Sequence, residues 1–205
     1  CNLSLTGGPL RGNGTPLNFP LKRLGYRPVA APDLGTKRIC PSCASRFYDL
    51  TKRPIVCPKC AFHFRISARE RLETLFDGAW EEFDPGLVSS DPLGFRDSKP
   101  YADRLRAGKA KTDSYDALVS AVGAMGGRRT VIGAMEYGFI GGSMGVVVGE
   151  KVTRCIERAL EERLPLVVVS CSGGARMMEG TLSLMQMAKI SAALAQLHEA
   201  KLPFL

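Results

Sequence analysis

Residues 167–179 read VVVSCSGGARMME, and this stretch decides the fold expected for the rest of the chain. Its first half is a short β-branched run entered through Pro165, which is typical of a fully buried strand in an α/β protein. The strand is predicted to stop at Gly173 and Gly174, and a helical pattern follows from about Arg176. Open N–H groups and a positive helix N-terminus make this corner suitable for an oxyanion. The alternative is a tight strand-to-helix connection without a ligand.

Composition and charge indicate an ordinary globular chain with one basic region. The 205 residues are 45% hydrophobic and 23% charged, which allows one good-sized domain plus a small appendage. No apolar run approaches the roughly 20 residues that cross a bilayer, so a membrane protein is not expected. Most of the net charge of +8 falls in residues 37–71, where nine basic residues accompany two acidic ones. Such a patch favours a nucleic acid, a nucleotide-bearing cofactor or an acidic protein surface as partner.

The first part of the chain carries little pattern. Residues 1–36 are rich in glycine and proline and show no sustained helical or strand period, so they are interpreted as a linker or disordered arm. A targeting peptide is the alternative, although the segment lacks an apolar core and an Arg-rich amphipathic helix. Because the chain begins at Cys1 and ends where a new strand is predicted to start, it is interpreted as a fragment.

Four clustered cysteines give the strongest local pattern in the sequence. Two C-x-x-C pairs, CPSC and CPKC, are separated by thirteen residues. Each pair offers two thiolates from one tight turn, and two pairs complete a tetrahedral site without an open position, which indicates a structural zinc ion. Redox pairs or unrelated thiols are the alternative. The neighbouring His63 is expected to lie outside the ligand set, and the predicted ligands of one zinc per chain are Cys40, Cys43, Cys57 and Cys60.

The remaining segments predict an α/β domain. Two β-like runs joined through Gly126 and Gly127 are typical of a hairpin, and the glycine-rich loop 138–145 leads into a helix over residues 149–164. The buried strand and a long helix over residues 181–200 follow. Its methionines are expected to be core filler, and its predicted inner face consists of Leu184, Met187, Ala188, Ser191 and Leu194. Such repeated ββα units imply a stack of small sheets walled by helices.

Five blocks of the sequence carry a resemblance to a known family. The first block contains both cysteine pairs. The other four are the segments DPLGFRDSKPYADRL, GGSMGVVVGEK, SGGARMMEG and SLMQMAKISAAL. In this order and spacing they resemble the β subunits of bacterial-type acetyl-CoA carboxylase carboxyltransferase, from about residue 38 to the last residue. The resemblance implies a crotonase-like α/β fold (the ClpP/crotonase superhelix of ββα units) over residues 67–205. A zinc ribbon over residues 37–66 is expected to precede it.

The resemblance also implies an activity and its partners. The family transfers a carboxyl group from carboxybiotin to acetyl-CoA and so produces malonyl-CoA for fatty-acid synthesis. Biotin is supplied in trans on the biotin carboxyl carrier protein. An α subunit shares the active site in an α2β2 assembly, and biotin carboxylase completes the ATP-dependent complex. A cytoplasmic location is expected, with the plastid stroma left open. The β chain of another acyl-CoA carboxylase is an alternative.

That reaction assigns roles to the glycines. Negative charge builds on the thioester oxygen when the methyl group loses its proton, and Gly173 and Gly174 are predicted to stabilise it through their backbone N–H groups. The sequence shows no strong base near them, so biotin is expected to take the proton after carboxybiotin gives up CO₂. The CoA cleft is predicted to be lined by Gly141, Gly142 and Ser143, with packing of the following helix as the alternative.

Two assignments remain open at this level. Arg176 is predicted to pair with a phosphate or carboxylate of the substrate, or to form an ion pair with Glu179 or Glu150. The basic ribbon is expected to meet the adenosine phosphates of CoA, to bind nucleic acid, or to dock on the partner chain. Nucleic-acid binding as the whole function would explain residues 37–71 and leave the glycine corner without a role.

Overall fold

The computed structural model describes residues 36–49 and 55–205. The arm predicted over residues 1–36 lies, apart from its last residue, outside the described residues. From Gly35 onwards the chain forms one unit of contacts. None of the described helices combines the length and the apolarity that crossing a membrane requires.

A small β-hairpin opens the described chain. Strand β1 (Thr36–Ile39) pairs antiparallel with strand β2 (Arg46–Asp49), and a shorter antiparallel bridge joins Val56 to His63. Three aromatic rings pack edge to face in this region, with centroids 5.7 and 5.3 Å apart; they belong to Phe47, Phe64 and Phe62. Because so small a unit buries little apolar surface, it needs a further source of stability.

A mixed four-stranded sheet forms the centre of the remaining described chain. In order across the sheet its strands are β3 (Trp80–Phe83), β4 (Leu118–Met125), β5 (Arg128–Met135) and β6 (Leu166–Val169). The first three are antiparallel, whereas β6 runs parallel to β5 with Leu166 opposite Val131. Beyond β6, Leu166 also bridges Phe204 in parallel. The final residues therefore extend the sheet, where the sequence predicts a new strand.

The hairpin between β4 and β5 turns through Gly126 and Gly127, as the sequence predicts. Both residues take positive φ angles, 59° and 73°, which a two-residue type I′ turn requires. The carboxylate of Asp77 accepts both of their N–H groups, at 3.2 and 2.8 Å. The turn is thereby fixed to the segment that leads into β3.

Helices cover both faces of the sheet. They are α1 (Ala68–Leu75), α2 (Tyr101–Thr112), α3 (Val146–Glu161) and α4 (Thr181–Glu199). Helix α1 begins at a capping box, in which Ser67 and Glu70 exchange side-chain to backbone hydrogen bonds. Alternation along β4 separates two cores: Leu118 and Val122 belong to the core that α3 joins, and Val119 to the core that α1 joins.

Helix α4 begins where the sequence predicts the long helix, at residue 181. The helical pattern from about Arg176 is interrupted by a 3₁₀ turn over Met177–Glu179, and α4 itself starts at Thr181 with Gly180 as its N-cap. The helix N-terminus therefore lies at Gly180, six residues after Gly174.

The methionines of α4 are not core filler in the described chain, so that prediction is wrong. Leu184, Met185 and Met187 are 51%, 62% and 53% exposed, whereas the buried face carries Ser183, Gln186, Ala193 and Leu197. Apolar side chains occur on both faces of α4, so its periodicity could not identify the inner one. Close packing against α3 decides it, because a Cβ at Gly149 would overlap the side chain of Gln186.

Candidate active site and metal centre

The four cysteines predicted as ligands converge on one point. Their Sγ atoms all lie within 4.8 Å of one another, with Cys40 and Cys60 at 3.6 Å and Cys43 and Cys57 at 3.7 Å. A tetrahedral site with metal–sulfur bonds of about 2.3 Å separates its sulfurs by about 3.8 Å, so the spacing fits such a site. It does not fit disulfides, whose sulfurs are about 2.05 Å apart. These four residues can hold a metal ion.

The two turns that present the cysteines share one backbone geometry. In each, the alanine after the second cysteine donates its N–H to the carbonyl of the first: Ala44 to Cys40 and Ala61 to Cys57, both at 2.9 Å. Both alanines take positive φ angles, 55° and 58°. The sequence C-P-x-C-A thus folds in the same way twice, and His63, as predicted, is not part of the converging set.

The thiols of this cluster compete for negative charge. Burial opposes ionisation of Cys57, yet the N–H groups of Cys60 and Lys59 lower the pKa of its thiol to about 7. The Ser45 N–H favours the Cys43 thiolate, but burial and the neighbouring sulfurs raise the pKa of Cys43 to about 12. One thiolate therefore forms readily while further ones are repelled, and a bound cation would relieve the repulsion.

The two glycine-rich loops lie directly against each other. Gly173 donates its N–H to the carbonyl of Gly141 at 2.9 Å. A Cβ at Gly142 would overlap the carbonyl oxygen of Cys171, so a side chain there would force the loops apart. The structure thus brings together residues that are far apart in the sequence.

Both N–H groups of the predicted oxyanion corner have acceptors within the chain. The N–H of Gly173 is bonded to Gly141, and that of Gly174 to the hydroxyl of Ser172 at 3.0 Å. Ser172 is exposed, and its side chain can rotate away, whereas the Gly141 carbonyl belongs to the loop backbone. Gly174 therefore offers the donor that is more easily released. The oxyanion role of the pair stays a prediction.

Arg176 is fully buried and is held by an ion pair. It donates to both carboxylate oxygens of Asp116, at 2.6 and 3.0 Å, and neither side chain has exposed area. It also donates to the carbonyl and the hydroxyl of Ser143, at 2.8 and 3.2 Å. Burial opposes its charge, but Asp116 holds the pKa of Arg176 above its usual value. Of the open alternatives, the geometry favours ion pairing: Asp116 is the main partner, the predicted partner Glu179 lies 3.4 Å away, and Glu150 instead pairs with Arg154 and Lys189.

Glu179 gathers hydrogen bonds from several segments. One oxygen accepts from the hydroxyls of Tyr101 and Ser89, at 2.5 and 3.2 Å, and lies 3.4 Å from Arg176. The other accepts the N–H of Val146, the first residue of α3, at 2.6 Å. Glu179 thereby joins the loop before α4 to α2, to α3 and to the segment before α2.

Sequence analysis missed most of this buried polar cluster. A carboxylate directly before an apolar strand is unusual, and this pattern could have singled out Asp116. Tyr101 and Ser89 lie in a polar stretch and carry no comparable pattern. Their role depends on contacts across 78 and 90 residues of sequence, which local patterns do not encode.

A basic groove leads along α2 to the glycine loops. Two adjoining clefts, each of about 580 Å³, share Lys111, Gly138 and Ile140, and the first of them reaches Gly141. The cationic residues that line these clefts are Arg65, Lys99, Arg104 and Lys111. Such a groove has the charge and length to receive an extended ligand with phosphate groups.

Two of these cations are held in place by neighbours. The guanidinium of Arg65 lies 4.2 Å from the ring centroid of Tyr137, a cation–π contact between the end of the ribbon and the main domain. Arg104 binds both carboxylate oxygens of Asp97, at 2.6 and 2.7 Å. The groove therefore carries charges whose positions are fixed before any ligand arrives.

Residues 89–205 match the carboxyl transferase domain family. This chain belongs to that family. The carboxyl transferase domain contains both glycine loops, the buried Arg176–Asp116 pair and helix α2. Residues 29–82, which include the four cysteines, match a second family that is described only as a protein of unknown function, FYDLN_acid.

Named relatives share sequence with most of the chain. The acetyl-coenzyme A carboxylase carboxyl transferase subunit beta of Citrifermentans bemidjiense is 54% identical over 168 residues, which are 80% of this chain and 60% of that protein. The chloroplastic subunit beta of Pyropia yezoensis is 45% identical over 193 residues, which are 89% of this chain and 66% of that protein. The chain thus spans 60% and 66% of the lengths of these relatives.

Solved structures share the fold. Transcarboxylase 12S, with hydrolyzed methylmalonyl-coenzyme A bound, is 27% identical with a TM-score of 0.52, and the match covers 64% of this chain and 24% of that one. A single-chain, multi-domain long-chain acyl-CoA carboxylase is 25% identical with a TM-score of 0.54, over 68% of this chain and 14% of that one. With the family match, these likenesses confirm the predicted crotonase-like α/β fold of the carboxyl transferase domain.

Proposed function

We propose that this chain is a β subunit of acetyl-CoA carboxylase carboxyltransferase and that it serves the transfer of a carboxyl group from carboxybiotin to acetyl-CoA, giving malonyl-CoA for fatty-acid synthesis. The contact between Gly173 and Gly141 carries the proposal, because it joins two glycine loops at one end of a basic groove. The names of the relatives favour acetyl-CoA over the substrate of another acyl-CoA carboxylase.

Backbone N–H groups supply the catalytic stabilisation in this proposal. Loss of a methyl proton places negative charge on the thioester oxygen, and an N–H donor at that oxygen is worth about 10²–10³ in rate. The N–H of Gly174 becomes available when Ser172 rotates. Gly173 would exchange the Gly141 carbonyl for the thioester oxygen, and the positive φ of 65° at Gly141 gives that loop the freedom to adjust.

The chain's own residues position and stabilise, and they do not act as a strong base. The two histidines of the sequence lie elsewhere: His63 bridges Val56 in the ribbon, and His198 lies in the last turn of α4. Carboxybiotin, delivered on the carrier protein, would supply the carboxyl group as CO₂, and the biotin left behind would take up the proton. Ser143, Arg176 and Asp116 would keep the glycine loops in place around the thioester.

The basic groove would bind the CoA part of the substrate. Lys99, Arg104 and Lys111 line the clefts that lead towards Gly141, at a place suited to the adenosine phosphates. Arg65 adds a charge from the end of the ribbon. In this arrangement Gly141 borders the cleft, whereas Gly142 and Ser143 are buried behind it and hold the loop, together with Arg176 as a positioning residue.

The ribbon would hold one structural zinc ion through Cys40, Cys43, Cys57 and Cys60. Its exposed basic surface also leaves nucleic-acid binding as an alternative. That alternative has less support, because the named relatives are carboxyl transferase subunits, although the exposed ring of Tyr48 is open to a stacking base.

The partners would be those of the named relatives' complex: an α subunit in an α2β2 assembly, the biotin carboxyl carrier protein and biotin carboxylase. Exposed apolar side chains on α4 support a protein neighbour on that face. A cytoplasmic or plastid-stromal site of action is consistent with bacterial and chloroplastic relatives.

The proposal is tested on the natural protein that contains this chain, purified with its α partner. Exchange of carboxyl between malonyl-CoA and biotin is assayed, and zinc is quantified in the same sample. We expect transfer with one zinc per chain and a preference for malonyl-CoA over methylmalonyl-CoA. Zinc without transfer from either thioester, together with salt-sensitive RNA binding, would favour the nucleic-acid alternative.

A pair of lysine variants tests the groove in the same assay. Lys111→Gln should raise the KM for malonyl-CoA several-fold, because a phosphate partner is lost. Lys201→Gln, at an exposed position beyond the end of α4, should leave it unchanged. Equal effects of the two variants would contradict the placement of CoA in this groove.

A further inference from the structure

We propose that Tyr101 is a positioning residue that couples the basic groove to the glycine loops, so that binding of the nucleotide end of CoA improves the geometry at the thioester. This inference rests on the proposed carboxyltransferase function. It concerns a residue to which neither the sequence pattern nor the family match gives a role.

Tyr101 sits where the two halves of the site meet. It is the first residue of α2, and its side chain is fully buried. Its hydroxyl donates to Glu179 at 2.5 Å and accepts from Arg176 at 3.1 Å. Burial raises the pKa of Tyr101 well above its usual value, so the hydroxyl keeps its proton and remains a donor at physiological pH.

On one side of Tyr101 lies the groove. Lys99 precedes it by two residues, and Arg104 and Lys111 follow on α2, so three of the cations lining the clefts belong to α2 or its approach. A rigid helix transmits displacement along its axis. Electrostatic attraction between bound phosphates and these cations therefore also displaces the hydroxyl of Tyr101.

On the other side lie both glycine loops. Through Glu179 the hydroxyl of Tyr101 reaches the N–H of Val146, which ends the first loop, at 2.6 Å from the carboxylate. The same carboxylate fills the space beside Gly145, where a Cβ would lie 2.6 Å from it. Through Arg176 the hydroxyl reaches Ser143 as well. A small shift of Tyr101 thus acts on the loop that carries Gly141.

Such a link has a use in catalysis. Binding energy from a part of the substrate that does not react can be used to orient the reacting part, and then a truncated substrate loses kcat as well as affinity. The buried chain from α2 through Tyr101 to Glu179 is a physical route for this use. Spatial connection alone does not demonstrate coupling, so the test measures the coupling itself.

The experiment compares malonyl-CoA with malonyl-pantetheine, which lacks the nucleotide, in the unaltered holoenzyme and in its Tyr101→Phe variant. In the unaltered enzyme we expect kcat with malonyl-CoA to exceed kcat with malonyl-pantetheine by about tenfold. In Tyr101→Phe this ratio should fall to about two or less, because the ring still fills its space and the hydrogen-bonded link is gone.

A role in stability alone would lower kcat for both thioesters alike and leave their ratio unchanged, which would overturn the inference. Tyr115→Phe is the matched control: its ring is partly exposed against Lys109, and its ratio should equal that of the unaltered enzyme. If Tyr101→Phe does not assemble, Glu179→Gln carries the same test, since it keeps the side-chain shape and removes one acceptor.

The same data separate this inference from the proposed function. Transfer by the unaltered enzyme with equal kcat for the two thioesters would support carboxyl transfer and overturn the coupling. Absence of transfer with either thioester would overturn both.

Discussion

The ribbon and the glycine site achieve a fixed geometry by opposite means. In the ribbon, four ligands come from two copies of one short turn, and the sulfurs lie within 4.8 Å of one another with little apolar core around them. In the glycine site, the fixed elements are backbone loops, and charged side chains buried in the domain hold them: Arg176, Asp116 and Glu179.

This difference predicts which change should destabilise each region. A tetrathiolate site depends on its metal, because the folded ribbon has few other contacts to stabilise it. The glycine site depends on charge balance in a place that excludes water, where one unpaired group is costly. The two regions should therefore fail separately.

The largest expected effect is on the ribbon. Cys57→Ser should abolish metal binding and unfold the ribbon, because a structural zinc ion stabilises zinc-finger peptides by about 10–16 kcal/mol. Metal analysis and hydrogen exchange of the intact protein would measure it, with loss of protection at the N–H groups of Cys40, Ala44, Cys57 and Ala61 and retained protection in β4 and β5. Cys171→Ser, at an exposed cysteine outside the cluster, should keep the metal. If the metal-free ribbon kept its protection from hydrogen exchange, its fold would not depend on the metal, and the proposed difference between the two regions would be wrong.

The next effect is on the buried ion pair. Asp116→Asn should lower the free energy of unfolding of the domain by about 3–5 kcal/mol, because the buried guanidinium of Arg176 loses its main counter-charge and keeps only the more distant contact with Glu179. Denaturant unfolding would measure it, with the metal still bound.

The control for this charge substitution is Arg129→Gln. Its ion pair with Glu162 lies at the surface, with 54% of the Arg129 side chain exposed, and should be worth less than about 1 kcal/mol. Similar losses for Asp116→Asn and Arg129→Gln would mean that burial does not distinguish the two pairs.

A smaller effect is expected from the glycines. Gly142→Ala should destabilise the domain by roughly 2–4 kcal/mol, since it adds a Cβ both at a φ of 66° and in the space of the Cys171 carbonyl. The same change should lower carboxyl transfer strongly, because it separates the two glycine loops.

Gly127→Ala supplies the matched comparison. Its φ is 73°, but a Cβ there meets nothing within 4 Å. The expected loss of stability is therefore only the cost of a positive φ angle in alanine, about 1–2 kcal/mol. Transfer activity should be retained. If both variants lost activity to the same extent, close loop contact would not be what the site requires.

The smallest effect is a pH dependence at the groove. Arg104 and the Lys99 N–H lower the pKa of Asp97 to about 2, below the usual 3.8. The ionised carboxylate therefore stabilises the fold above about pH 4, and this contribution is lost as the pH falls towards 2. Asp97→Asn lacks it, so the difference in unfolding free energy between the two proteins should shrink over that range. A difference independent of pH would show that the pair contributes nothing.

Sequence reasoning succeeded where the pattern is local. The cysteine pairs and the turn at Gly126 and Gly127 each depend on neighbours within a few residues, and each has the predicted geometry. It failed for the inner face of α4, because both of its faces are apolar.

What the sequence by itself determined is the cysteine cluster, the order of the strands and helices from β4 onwards, and the presence of two glycine loops. What only the tertiary structure decided is how those loops are held. The contacts of Arg176 with Asp116 and of Tyr101 with Glu179 join residues 60 and 78 positions apart, and their strength depends on burial. Burial is a property of the packed domain, so no local pattern could have predicted that Arg176 turns inward to hold the site.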